Sequence, residues 1–310
     1  MKESIRVFAP ATVANVGCGF DVLGFALHEP GDELIVRLNQ SGRTTISRIT
    51  GDGGKLSADP AKNTAGVVID AFLQQLGRSQ GVDIELNKKM PLGSGLGSSA
   101  ASAVAAIFAI NELMGRPLTK RELLPFAMEG ERMACGAAHA DNVAPSLLGG
   151  FVLIRSYDPL DVVQIPIPKD LVATVVHPHI EIRTEDARSI LKKSILLRDA
   201  IIQWGNIGGL LTGLMLNDYG LISRSLQDVI IEPVRSLLIP EFDNVKRASL
   251  ENGALGCSIS GSGPSIFALS TSFAAAAQIA DAMRLTLAKV NIESDLYLSP
   301  INEIGPKILD

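Results

Sequence analysis

Cysteine is scarce in this sequence, and the three that occur, Cys18, Cys135 and Cys257, stand far apart with no Cys-x-x-Cys pair. That spacing offers neither a thiolate zinc site nor a disulfide framework, and it fits a reducing cytoplasm. Positive charge is not in excess either: 28 Lys and Arg stand against 33 Asp and Glu, a net charge of −5. The basic residues are scattered, and Lys88-Lys89 and Lys192-Lys193 are only pairs. The concentrated positive field that displaces counterions from a nucleic acid is therefore missing. No G-x-S-x-G occurs, which removes the nucleophile-elbow hydrolases. Long apolar runs are lacking as well. The N-terminus meets charged residues and Pro10 before a signal peptide could form. The charge-free stretch from Met90 to Asn111 is Gly- and Ser-rich in its first half, leaving Ala100 to Ile110, too short to cross ~30 Å of hydrocarbon. The expectation is a cytoplasmic protein with no nucleic-acid or membrane partner.

What is present reads as a globular α/β or α+β protein. The 310 residues, 46% apolar and 20% charged, are enough for two domains, each with its own core. Arg6 to Phe8, Leu34 to Leu38, Thr44 to Ile49 and Val82 to Leu86 read as strands, and Asn63 to Leu76 carries helical spacing. Ala100 to Met114 is apolar all round, a buried helix closed by Gly115, with Ser98 or Ser99 expected as its N-cap. A helix over Lys120 to Arg132 precedes a polar loop carrying His139 to Asn142, then a strand at Phe151 to Ile154. Beyond Pro159, Pro166 and Pro168 we expect a strand at Leu171 to Val176 and helices at Glu185 to Lys193, Ile195 to Leu216, Pro240 to Glu251 and Phe273 to Leu287. Strands at Gly256 to Ser260, Ser265 to Leu269 and Asp295 to Leu298 complete the set. The domain division is drawn at 1–167 and 168–310.

The strongest chemical signal is the loop Pro91-Leu92-Gly93-Ser94-Gly95-Leu96-Gly97-Ser98-Ser99, between a strand and the buried helix. Its glycines let backbone N–H groups turn inward, the following helix presents its positive end, and a Ser hydroxyl can ligate magnesium. It is not a Walker A loop, since no Lys follows the last Gly, nor a dinucleotide G-x-G-x-x-G, since Ser98 stands where the third Gly belongs. A mere connector would need two or three residues.

Other residues gain weight only in company. Glu131, His139, Asp141 and Asn142 cluster beside apolar sequence, and a carboxylate near a triphosphate commonly holds Mg²⁺. Asn15 and Asp21 lie in a segment too rich in small residues for a regular strand interior, and alone read as turn formers. Arg188 and Arg235 alone read as surface residues, although a guanidinium fork suits a carboxylate. Gly261-Ser262-Gly263-Pro264 lies between two apolar strands, a hairpin that also permits close approach to a ligand. Trp204, His177 and His179 are assigned to packing and loops.

PLGSGLGSSAA (91–101) resembles the phosphate loop of the GHMP kinases, and GCSISGSGPSIFAL (256–269) resembles their C-terminal glycine motif. PATVANVGCGFDVLGFAL (10–27), HADNVAPSLLGGFVLIRS (139–156) and the TEDAR and EPVR segments are similar to the homoserine kinases among them, over essentially the whole chain. The resemblance implies an α+β two-domain GHMP kinase fold, with a ribosomal protein S5 domain 2-like N-terminal domain and a ferredoxin-like C-terminal domain. It implies ATP and Mg²⁺, phosphorylation of the L-homoserine hydroxyl toward threonine, and a homodimer. By matched positions, Asn15, Asp21, His139 and Asn142 hold the amino acid, and Arg188 and Arg235 hold its carboxylate. Thr184 lies near the reacting end, Ser98, Ser99 and Glu131 serve phosphate and magnesium, and Asn63 contacts the nucleotide. The loop 91–99 with Gly261 and Gly263 completes the nucleotide site. The Lys that mevalonate kinases pair with a catalytic Asp has no counterpart in Pro10 to Asp21, so the resemblance does not support an Asp-Lys pair; Asp141 is the only nearby candidate for a base, and direct attack without a base stays open.

Overall fold

The computed structural model describes residues 3–136 and 138–309, and only the backbone at 134 and 135, so the Cys135 side chain lies outside the described residues. In chain order the elements are β1 (Ser4–Ala14), β2 (Leu23–Asn39), β3 (Thr44–Thr50), α1 (Thr64–Gln75), β4 (Gly81–Asn87), α2 (Ser98–Leu113), α3 (Lys120–Cys135), α4 (Ala140–Leu148), β5 (Phe151–Tyr157) and β6 (Leu160–Ile165). They continue with β7 (Val172–Pro178), α5 (Thr184–Ser189), α6 (Leu197–Leu216), α7 (Tyr219–Ser225), α8 (Glu232–Arg235), α9 (Phe242–Glu251), β8 (Gly256–Ile259), β9 (Ile266–Ser270), α10 (Phe273–Ala288), β10 (Ser294–Pro300) and β11 (Lys307–Ile308).

Two sheets organise these elements. The first runs β11-β1-β2-β4-β3, with β5 pairing the start of β2 and turning back into β6. The second is antiparallel, in the order β10-β7-β9-β8. β11 joins the first sheet through Val7↔Ile308 and Phe8↔Lys307, so the chain returns to its opening strand. The apolar face of the first sheet packs on α2, which also touches α1, α3 and α4. Every residue from Ala100 to Ile110 is buried. Its alanines allow close approach to β1 and β2, while Val104, Ile107 and Ile110 each contribute ~1.5–3 kcal/mol by leaving water. This rigid helix fixes the direction in which its N-terminus points. Among the described residues, no helix is long and apolar enough to cross a membrane.

The structure departs from the sequence reading in several places. His139 to Asn142 is not a loop: His139 is the N-cap of α4, and Asp141 and Asn142 lie in its first turn. Pro145 disguises this helix, because it withholds the N–H that would bond the Asp141 carbonyl. That carbonyl instead abuts Gly24, where a Cβ would sit 2.0 Å away, so only glycine fits there. Pro10 to Ala14 is regular strand after a shift of register between Pro10 and Thr12. Neither Ser98 nor Ser99 caps α2; left-handed Gly97 (φ 69°) is the N-cap and makes no side-chain bond. α5 stops at Ser189, four residues short of Lys193, and β6, α7, α8 and β11 were not read at all. Trp204 is 57% exposed on α6, so it is not a core residue. Arg235 is 4% exposed, so it is not a surface residue.

Candidate active site

The loop between β4 and α2 turns on Gly93, Gly95 and Gly97, all at positive φ (68°, 76° and 69°). At Gly97 the backbone has no alternative: an added Cβ would lie 2.2 Å from Thr12 Oγ1 and 2.8 Å from Asn142 Oδ1, which are themselves bonded at 2.7 Å. With Gly97 at the N-cap, the first N–H groups of α2 receive no side-chain cap bond among the described residues. This is the open, electropositive end that suits a phosphate. Ser94 Oγ, buried in the same loop, has no hydrogen-bond partner among the described residues. Gly95 O accepts from Ser260 Oγ at 2.7 Å and Ser94 O from Ser265 N at 3.2 Å, so the β8–β9 hairpin clasps the loop from the other sheet.

Beneath the loop lies a group that the sequence reading passed over. Lys88, at the end of β4, donates its ammonium to Asp32 Oδ2, to Ser98 O (2.7 Å) and to Ser102 Oγ (2.7 Å). Asp32 in turn accepts Ser98 Oγ (3.0 Å) and the Lys89 and Met90 N–H groups (2.8 and 3.1 Å). The two side chains are 1% and 0% exposed. Burial lowers the Lys88 pKa, opposed by the Asp32 charge. The only sequence signal was a lysine three residues before the start of a glycine-rich loop. Ser99, on the next step of the helix, donates to Glu131 Oε2 at 2.8 Å, and Glu131 on α3 is 4% exposed.

A second set of charges lies across the cleft. The turn after β1 holds Asn15, Val16 and Asp21 at positive φ (71°, 40° and 59°). Asn15 braces it, accepting from Asp21 N (3.0 Å) and donating to Gly261 O (2.7 Å), and Tyr157 OH donates to Asp21 O (2.8 Å). Arg188 Nη2 donates to both Asp21 oxygens, at 2.8 and 3.0 Å, and His139 Nδ1 is 3.8 Å from Asp21. Burial lowers the His139 pKa, against the pull of Asp21. Arg235 donates Nε to Ala187 O (3.1 Å) and Nη1 to Gly261 O (3.0 Å). Its pKa falls to about 10, through burial first and then the charge of Arg188, so it remains cationic at neutral pH.

Asp141 sits between the two sets. It is buried, its Oδ1 has no hydrogen-bond partner among the described residues, and burial, reinforced by the Asp21 and Glu131 charges, raises its pKa to about 7. Such a carboxyl is poised to exchange a proton at neutral pH. Thr184 Oγ1 lies 3.3 Å from Ser262 Oγ. Asn63 caps α1 through Ala65 N (3.1 Å) and donates to Ser57 O (2.9 Å).

One cleft of about 510 Å³ collects these groups, a volume suited to a small-molecule ligand. Asn15, Asp21, Asn63, Leu92, Gly93, Ser94, Gly95, Gly97, Ser98, Ser99 and Glu131 line it, as do His139, Asp141, Asn142, Thr184, Arg188, Arg235 and Gly261. Pro91, Leu96 and Gly263 do not: Leu96 is a core side chain, and Gly263 packs beneath the hairpin against Gly95. Besides Lys88 and Asp32, the sequence reading missed Thr12 and Tyr157, whose partners lie far away in the chain.

Comparison with known proteins agrees with the geometry. The family described as GHMP kinases N terminal domain matches residues 63–150, and that described as GHMP kinases C terminal matches residues 210–289. A homoserine kinase of Chloroherpeton thalassium is 56% identical over all of both chains. A crystal structure of homoserine kinase from Cytophaga hutchinsonii superposes with a TM-score of 0.98 at 62% identity, over 100% of this chain and 98% of that one. The L. major mevalonate kinase in complex with R-mevalonate shares the fold alone, with a TM-score of 0.72 at 17% identity over 97% and 98% of the two chains.

Proposed function

The chain belongs to the GHMP kinases, among the homoserine kinases, and from that premise we propose that it transfers the γ-phosphoryl group of ATP to the side-chain hydroxyl of L-homoserine. The products are O-phospho-L-homoserine and ADP, a step toward threonine. One observation carries the reading: the open N-terminus of α2 and the Asp21, Arg188 and Arg235 charges face the same cleft.

Phosphoryl transfer through a loose transition state asks for alignment and charge stabilisation. The N–H groups opening α2, with Ser94 and Ser98 beside them, hold the triphosphate, and Asn63 and the Gly261–Gly263 hairpin flank the nucleotide. Arg188 and Arg235 grip the acceptor's carboxylate and Asp21 its ammonium. Asn15 and His139 keep Asp21 in place, Asn142 bridges acceptor and phosphate loop, and Thr184 stands at the reacting end. Asp141 takes the hydroxyl proton, a role supported by its unpartnered oxygen and its pKa of about 7. Ser99 and Glu131 suit magnesium: they offer hard oxygen donors at the helix end. Magnesium keeps much of its shell as water and phosphate oxygens, so two protein oxygens are enough to hold it. When bound, magnesium offsets charge on the transferred group.

We carry forward residues 1–167 and 168–310 as the two domains, except that β11 (Lys307–Ile308) crosses back to the sheet of the first, with the cytoplasm as the location and a homodimer as the assembly. Family likeness supports the homodimer, and Leu197, Ile201 and Trp204 of α6 offer exposed apolar surface to it. ADP release measured with homoserine, serine, mevalonate, shikimate and galactose tests the acceptor. Turnover is expected with homoserine, and its absence there would overturn the reading.

A further inference from the structure

Phe20 has no role in the scheme above, yet it stands where the acceptor charges converge. Its half-buried ring carries a guanidinium from each of two helices of the C-terminal half. The Arg188 Cζ is 5.5 Å from the ring centroid and the Arg235 Cζ 4.9 Å. The two cations are close enough for Arg188 to depress the Arg235 pKa. Arg188 has Asp21 as counter-ion. Arg235 is buried with two carbonyls as hydrogen-bond partners; among the described residues no carboxylate lies within ion-pair distance of it, and the Asp21, Asp141 and Asp228 charges reach it only from further off. A desolvated cation without a counter-ion is costly, and the negative face of an aromatic ring is one of the few uncharged groups that offset it.

We propose that Phe20 is a positioning residue that sets acceptor specificity, its ring holding the Arg188 and Arg235 guanidiniums as a preformed pair for the substrate's carboxylate. This rests on the reading that those two arginines bind that carboxylate. The Asp21–Arg188 pair then acts as a placeholder. An amino acid brings an ammonium for Asp21 and a carboxylate for Arg188, and it alone satisfies both partners when the pair opens. An amino alcohol would occupy Asp21 and leave two guanidiniums on one ring without an anion. The ring cannot replace a carboxylate, but it fixes where the two forks meet one. Preorganisation of this kind lowers the entropic cost of binding without adding a contact to substrate.

The test uses full-length Phe20→Leu, which keeps apolar bulk and removes the π face, beside Phe20→Tyr, which keeps the ring. Steady-state kinetics are measured with homoserine and with 3-aminopropan-1-ol, the same acceptor without its carboxylate. For Phe20→Leu the homoserine KM is expected to rise about tenfold, the equivalent of ~1.4 kcal/mol. kcat and the KM for ATP should stay within about twofold, and the preference for homoserine over the amino alcohol should shrink by the same factor. Phe20→Tyr should restore homoserine KM to within about twofold of the parent. An unchanged homoserine KM in Phe20→Leu, or a Tyr variant as impaired as Leu, overturns the proposal, as does an ATP KM that rises in step. Arg188→Met and Arg235→Met separate the two readings. If neither loses discrimination against the amino alcohol, the carboxylate reading itself fails. If both lose it and Phe20→Leu does not, only the role of Phe20 fails. Should Phe20→Leu not fold, Phe20→Met takes its place under the same criteria.

Discussion

Two pairs of opposite charge flank the cleft, Lys88 with Asp32 below it and Arg188 with Asp21 at its rim, and their side-chain exposures are 1% and 0% against 42% and 30%. The lower pair is closed: carbonyl, hydroxyl and N–H partners from the loop and α2 fill the positions around it. The upper pair is open, held by one guanidinium nitrogen on a strained turn. The same chemistry therefore does different work at two depths. Buried, it braces the glycine loop that we propose holds phosphate; half-exposed, it would keep the proposed acceptor site charged but exchangeable.

The contrast can be broken first at the level of stability. Lys88→Met leaves Asp32 buried without its cation and should lower unfolding free energy by ~3–5 kcal/mol, whereas Arg188→Met should change it by less than ~1 kcal/mol. Equal losses in urea titrations would erase the distinction between the pairs. Next come Arg188→Ala and Arg235→Ala, each expected to lower kcat/KM for homoserine by ~2–5 kcal/mol through KM. An unaltered homoserine KM would sink the carboxylate assignment.

Asp141 sharpens the comparison at the boundary between the two regions. Asp141→Asn should reduce kcat about a hundredfold, and parental kcat should fall as pH drops below about 7, where the carboxyl binds its proton. A small loss with an unchanged pH profile would leave the hydroxyl attacking without a base. The ligand-free fold gives an independent reading. Because the folded pKa is raised, Asp141 does not oppose folding below ~4, the ordinary carboxylate value, and opposes it increasingly as pH rises to about 7. Asp141→Asn should therefore gain stability relative to the parent between pH 4 and pH 8; a constant difference would contradict the raised pKa. The smallest effect is expected from Ser99→Ala, ~1 kcal/mol, seen as a few-fold higher magnesium requirement with homoserine KM unmoved.

The glycine and serine loop was legible because its chemistry is local: glycines, serines and the helix they open lie within a dozen residues. Lys88 and Asp32 were not, since 56 residues separate the partners and each alone resembles an ordinary surface charge. Phe20 was invisible for the same reason, its cations arriving from α5 and α8. The helix α4 was hidden by Pro145, and its carbonyl-to-Gly24 contact is a tertiary fact. Arg235 was misread because burial depends on packing that no short window reports. The long periodic elements, α1, α2, α6 and α10, followed the pattern with shifts of a few residues. Short ones such as β6, α7 and α8 did not, because tertiary contacts rather than propensity maintain them.

The return of β11 to β1 has a consequence for synthesis. Val7 and Phe8 meet their outer neighbours Ile308 and Lys307 roughly 300 residues later in the chain. At ~5–20 residues per second, that edge of the nascent sheet stays unpaired on the ribosome for on the order of 15–60 s. β1 leaves the ribosome before every other described strand, yet its outer edge is among the last to be paired.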